Sequence, residues 1–144
     1  MVKEIIHALG HPSITARHRT TFEITKDVHI MGAGDCIVAV SADKGANDLS
    51  IRFKQAASQP DTRIVVDFFA GELHERIIGH GHPDLTFEHS EDLVGRVSSY
   101  TCPRTLMVNA DKSALRFDRN FVRAIQLKDV EIRIELIAIR PGRH

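Results

Sequence analysis

Residues 40–70, VSADKGANDLSIRFKQAASQPDTRIVVDFFA, lie without a gap on residues 108–138, VNADKSALRFDRNFVRAIQLKDVEIRIELIA. Ten of the thirty-one aligned positions are identical, where average residue usage yields about two by chance. Upstream the match resumes at a slightly different offset: GHPSITARH at 10–18 returns as GHPDLTFEH at 81–89, with five of nine positions identical. An internal repeat of this length is the first thing to settle in a fold assignment. It predicts one domain over residues 1–144, built of two copies, 10–75 and 81–139, the second three residues shorter in its middle.

Periodicity describes one copy. In SITARHRTTFEIT, Ile14, Ala16, His18, Thr20, Phe22 and Ile24 alternate with polar residues, the pattern of a long strand with one wet face. CIVAVSA (36–42) and its counterpart TLMVNA (105–110) are short apolar runs that read as buried strands. Leu49-Ser50 and Phe117-Asp118 place a hydrophobic residue before a good N-cap. Phe53, Ala56 and Ala57, like Phe121, Ala124 and Ile125, then recur at helical spacing, predicting helices near 51–58 and 119–126. RIVVDFFA and EIRIELIA close the copies as strands, with Ile64, Val66, Phe68, Ala70 and Ile132, Ile134, Leu136, Ala138 facing inward.

The expected fold is therefore α+β and strand-rich: two β-β-α-β units about a pseudo-two-fold axis, forming a six-stranded or slightly larger barrel with two short helices. A three-stranded sheet with one helix cannot bury its own face, and closure removes exposed edges. A split α+β sandwich with both helices on one sheet face is the second architecture that fits. This unit order resembles the double-psi and cradle-loop β-barrels, whose Gly-Asp turn is matched by Gly34-Asp35; Cys102-Pro103-Arg104 stands there in the second copy. Through GHPSITARHRTTFEIT, GDCIVAVSADKGANDL and RTLMVNADKSA, the whole chain also resembles an archaeal family known as a domain of unknown function, number 371. That resemblance implies an archaeal, intracellular, single-domain protein and supplies no activity.

Composition narrows the function classes. Nineteen basic residues balance nineteen acidic ones, so no net field draws the chain to a polyanion or an anionic membrane. No apolar run is long enough to span a bilayer, and MVKEIIHALGHP lacks the apolar stretch of a secretion signal. With two cysteines and no CxxC spacing, Cys36 and Cys102 read as reduced thiols of a cytoplasmic protein.

Asp43-Lys44 and Asp111-Lys112 are the candidate ligand-binding residues. Each pair follows a buried strand and precedes a helix, where unsatisfied backbone N–H groups favour anions. Lysine there suits phosphate or carboxylate, although the P-loop spacing is absent. The competing reading has each Asp capping its own loop and each Lys pairing with an acid of the other unit. The repeated histidines, His11/His82 and His18/His89, are either turn residues or metal ligands; no acidic or Cys ligand stands beside them at motif spacing, so no metal site is assigned. No pattern names a cofactor or a catalytic residue. Arg17, His18, Arg19, Arg104, Arg140, Arg143 and His144 offer a basic patch with little aromatic platform for RNA. The expected function is a barrel that binds a small phosphorylated or carboxylated ligand, with catalysis left open. The alternatives are an RNA or ribonucleoprotein interaction module and a structural homo-oligomer.

Overall fold

A computed structural model describes residues 1–30, 32 and 34–142. The chain runs β1 (Val2–Leu9), β2 (Thr21–Thr25), β3 (Ile37–Ala39), α1 (Ile51–Ala57), β4 (Arg63–Ala70), then β5 (Leu73–His80), β6 (Asp92–Arg96), β7 (Thr105–Met107), α2 (Arg119–Ile125) and β8 (Glu131–Ile139). The fold is thus strand-rich α+β, the described residues forming eight strands in two four-stranded sheets, ordered β1-β8-β4-β5 and β3-β2-β6-β7. The ladders do not run round a closed barrel. Among the described residues the sheet edges meet only at single antiparallel bridges, Leu9 to Val40 and His80 to Val108.

The central pairings join the two halves of the chain. β4 lies antiparallel to β8, from Arg63 opposite Ile139 to Phe69 opposite Arg133, and β2 lies antiparallel to β6. Even the outer strands cross over: β1 pairs with β8, and β5 with β4. Loop hydrogen bonds recur at the offsets of the sequence match. Ser41 N–H donates to Asp27 O and Asn109 N–H to Ser98 O, each at 2.9 Å. Left-handed backbone falls on corresponding residues too, Ala16 and Phe87, Ser41 and Asn109.

The inward residues expected on β4 and β8, Ile64, Val66, Phe68, Ala70, Ile132, Ile134, Leu136 and Ala138, are all buried. Phe22 of one sheet meets Phe68 of the other edge-on at 5.9 Å, and Phe117 packs 5.5 Å from Phe68. Gly95 leaves room for this: a Cβ there would stand 1.9 Å from the Phe22 ring. Both helices begin where the capping residues place them. The Ser50 side chain accepts from Phe53 N–H, and Asp118 accepts from Asn120 and Phe121 N–H.

Two expectations are corrected. Residues 13–20 are not strand: only Thr21–Thr25 pairs, because a turn at Pro12–Ser13, left-handed backbone at Ala16 and a bend at Arg19–Thr20 break the extended path. Conversely, β1 and β5 open the two halves, each adding a strand ahead of an expected β-β-α-β unit. The repeated Gly-His-Pro phrase is also explained. Cβ atoms at Gly10 and Gly81 would stand 2.3 and 2.4 Å from the carbonyl oxygens of Ile125 and Ala57, at the C-terminal end of the other half's helix. His11 and His82 donate their N–H to those same carbonyls at 2.9 and 3.0 Å.

Phe53 and Phe121 are 0% and 2% exposed. Truncating either to Ala is expected to cost about 3–5 kcal/mol in urea melts; a loss below about 1 kcal/mol would contradict their place in the core.

Candidate functional site

The Asp-Lys loops are tied twice to the strands that open each half. Asp43 N–H donates to His7 O at 2.9 Å while Asp43 Oδ1 accepts His7 N–H at 3.0 Å. Asp111 does the same with Ile78, at 2.8 and 3.0 Å. Each Asp carboxylate therefore extends a backbone ladder. Each Lys reaches a buried glutamate: Lys44 Nζ lies 3.1 Å from Glu4 Oε2, and Lys112 Nζ 2.5 Å from Glu75 Oε1. Those glutamates also hold the helix entries, accepting Ser50 N–H at 2.5 Å and Asp118 N–H at 3.0 Å. Burial pushes the Glu4 carboxyl up, but the Ser50 donors and Lys44 outweigh it and hold it below its ordinary value. The result is a strut from loop to strand to helix, made once in each half.

The two loops do not open into one shared pocket. Asp43 borders a notch of about 830 Å³ at one end of the first sheet, with His7, Ser41, Phe69 and Arg133. Asp111 and Lys112 line a separate cleft of about 600 Å³ with Arg19, Val97, Ser113 and Arg116. Lys112 is engaged by Glu75, while among the described residues neither Arg19 nor Arg116 makes an ion pair. At the corresponding place in the first half, Lys26 Nζ closes on Asp48 Oδ2 at 2.8 Å, and Gly45 packs so tightly that a Cβ would stand 2.4 Å from Ser90 O. Ser113 carries the Cβ for which position 45 has no room, so the second half opens where the first is shut.

The four repeated histidines each receive a backbone N–H from a residue two or three positions on. The Nδ1 atoms of His11 and His82 accept Ser13 and Asp84 N–H at 3.0 Å. Those of His18 and His89 accept Thr21 and Asp92 N–H at 3.1 and 2.9 Å. Among the described residues no group of three or more His, Cys, Asp or Glu is placed to hold a metal. The basic patch is divided: Arg104 lies between Glu23 and Asp92, Arg140 faces Asp61 at 3.8 Å, and Arg143 and His144 lie outside the described residues. No helix among the described residues is long and apolar enough to cross a membrane.

A third cluster escaped sequence reading. On the outer face of β2 and β6, Arg104 Nη1 lies 3.4 Å from Glu23 Oε1 and 3.3 Å from Asp92 Oδ2. Arg96 reaches Cys102 Sγ at 3.2 Å and Thr105 Oγ1 at 3.0 Å. Burial, and after it the Asp92 carboxylate, pushes Glu23 up to about 7 against the pull of Arg104 and Arg96. Cys36 is pushed up to about 11 by burial and by Glu23. At Cys102 the effect of burial is outweighed by the Arg104 N–H, the Thr105 hydroxyl and Arg96, which bring the thiol down to about 7. In sequence Glu23 is one polar position of an alternating strand and reads as an ordinary wet-face residue. The structure buries it opposite Val94.

The profile of the family described as Domain of unknown function (DUF371) matches residues 6–139. The chain belongs to this family. An uncharacterised protein of Methanocaldococcus jannaschii, an archaeon, is 42% identical over 122 residues, covering 85% of this chain and 90% of the relative. The DUF371 match takes in both Asp-Lys loops, all six residues named at the second cleft and the Glu23 cluster. The DUF371 description names no activity, so function is argued from the sites.

Glu23 binds a proton more tightly folded than unfolded, so its contribution to stability is complete below its ordinary value of 4.5 and is lost as pH rises through about 7. Chemical melts between those limits are expected to show stability falling with pH, and Glu23→Gln to flatten the slope; an unchanged slope would contradict the assignment. Removing a strut carboxylate by Glu75→Ala leaves the Asp118 N–H and Lys112 without their partner, at an expected cost of about 1–3 kcal/mol. A melt unchanged by Glu75→Ala would rule the strut out.

Proposed function

We propose that this protein binds a small phosphorylated or carboxylated anion at the second Asp-Lys loop, where Asp111 and Lys112 meet Arg19, Ser113 and Arg116. One observation carries the reading: two guanidinium groups face a cleft without a carboxylate partner among the described residues. Guanidinium binds carboxylate and phosphate through paired hydrogen bonds. Asp43 and Lys44 have the same ladder and strut contacts, but the matching position beside them is filled by the Asp48 carboxylate and Lys26. Binding therefore belongs to one loop, and the first serves architecture. Asp111 lines the cleft and would repel an anion, an effect reduced because one of its oxygens already accepts the Ile78 N–H.

The frame that holds the loop is, on this reading, a duplicated barrel. The recurrence of loop hydrogen bonds at the sequence offsets supports two copies of one unit, with β1 and β5 added to the ranges 10–75 and 81–139. The bridges from Leu9 to Val40 and from His80 to Val108 support closure of the two sheets into one ring.

Thermal melts in millimolar phosphate or sulfate test the binding reading. The wild-type chain is expected to gain stability, up to about 2.7 kcal/mol at a hundredfold excess over Kd. Arg19→Ser, which installs the residue type of its aligned partner Ser90, is expected to lose that gain. Lys44→Ala should lower the melting temperature yet keep the gain. Absence of any anion-dependent stabilisation in the wild type would end the proposal.

A further inference from the structure

The first half holds a carboxylate of its own where the second half is open, and the contacts of that carboxylate describe what an external ligand would replace. Asp48 Oδ2 accepts the Gly45 N–H at 2.8 Å and faces Lys26 Nζ at 2.8 Å. At the second corner Arg116 stands in the place of Asp48, Ser113 in that of Gly45 and Val97 in that of Lys26, while Arg19, which comes from the first half, aligns with Ser90. One acid is gone and two guanidinium groups have arrived. The Ser113 N–H, whose counterpart donates to Asp48, has no carboxylate in its own turn to receive it. Ser113 is also 2% exposed, lines the cleft, and does not use its hydroxyl to cap the turn that follows. Buried polar groups ordinarily have a hydrogen-bond partner, and a buried serine that borders a cation-lined cleft is placed to serve an acceptor there.

Resting on the anion-binding reading above, we propose that the cleft takes the phosphoryl group of a small phosphate monoester, one oxygen of which occupies the place that the Asp48 carboxylate fills in the first half. That oxygen accepts from the Ser113 N–H and hydroxyl, and the remaining terminal oxygens pair with Arg19 and Arg116. The donor set selects the class. Two guanidinium forks, a hydroxyl and a backbone N–H exceed what the two oxygens of one carboxylate can satisfy, whereas a phosphoryl group presents three. Lys112 adds positive charge from a fixed position, because Glu75 holds it. Val97 is the apolar lining residue and is itself exposed, so the ester oxygen carries a small organic group against it.

Isothermal titration of the full chain with inorganic phosphate, glycerol 3-phosphate and acetate, in wild type and in Arg116→Asp, tests the proposal. The variant rebuilds the self-filled first half: its new carboxylate is placed to accept the Ser113 N–H as Asp48 accepts that of Gly45. Glycerol 3-phosphate is expected to bind at least about tenfold more tightly than acetate, and Arg116→Asp to weaken it by more than about tenfold. The unliganded variant should melt no lower than the wild type. If Arg116→Asp does not fold, Ser113→Gly takes its place, with about a tenfold loss of phosphate affinity expected. Acetate binding as tightly as the phosphates would overturn the phosphoryl assignment while leaving anion binding intact. Undiminished phosphate binding by the variants would overturn the assigned position. Inorganic phosphate binding more tightly than glycerol 3-phosphate would overturn the monoester. Binding of no anion at millimolar concentration would remove the underlying reading and this proposal together.

Discussion

The antiparallel pairing of β4 with β8 is the constraint on which the rest of the fold depends. These two strands close the two halves of the chain, and each is flanked by the opening strand of the other half, β5 beside β4 and β1 beside β8. Neither half owns a complete sheet, so neither can bury its apolar face without the other. The same crossing fixes the loops. Gly10 and Gly81 each fit against the last carbonyls of the other half's helix, and the bridges at Leu9 and His80 carry one sheet's edge to the other's. With those edges held, the Glu4-Lys44 and Glu75-Lys112 struts set where each helix starts.

Much of this was legible because packing repeats its residue types. Phe53 and Phe121, Ala56 and Ala124, and the inward rows of β4 and β8 occupy matching places and keep matching chemistry. The opening strands were not legible for an equally physical reason. In VKEIIHAL the inward residues are Glu4, Ile6 and Ala8, while Ile5 points outward at 38% exposure. A buried glutamate, tolerated because a lysine and a backbone N–H receive its charge, breaks the alternation by which a strand is recognised. The segment 13–20 misled in the opposite direction. Its alternation is real, and Ile14 and Ala16 are buried, but left-handed backbone at Ala16 turns them inward without a partner strand.

At the candidate site, identity between the halves pointed to architecture and difference pointed to chemistry. The repeated pair of letters, Asp then Lys, marks the ladder and the strut in both halves. The changes from Gly45 to Ser113 and from Asp48 to Arg116, inside the same matched stretch, turn a filled corner into an open cationic one. The outer face of β2 and β6 follows the same rule. Glu23 lies opposite Val94, and Cys36 aligns in sequence with Arg104, so aligned positions carry different titratable groups.

The central claim is that an anion enters the second half where the first half keeps its own carboxylate. Backbone amide chemical shifts followed during a phosphate titration test it most directly, because each half reports separately. The account predicts that the largest shifts fall on Ser113 and its neighbours through Arg116, with saturation, while Gly45 and Asp48 stay where they were. Equal shifts at the two corners, or shifts confined to other parts of the surface, would contradict it.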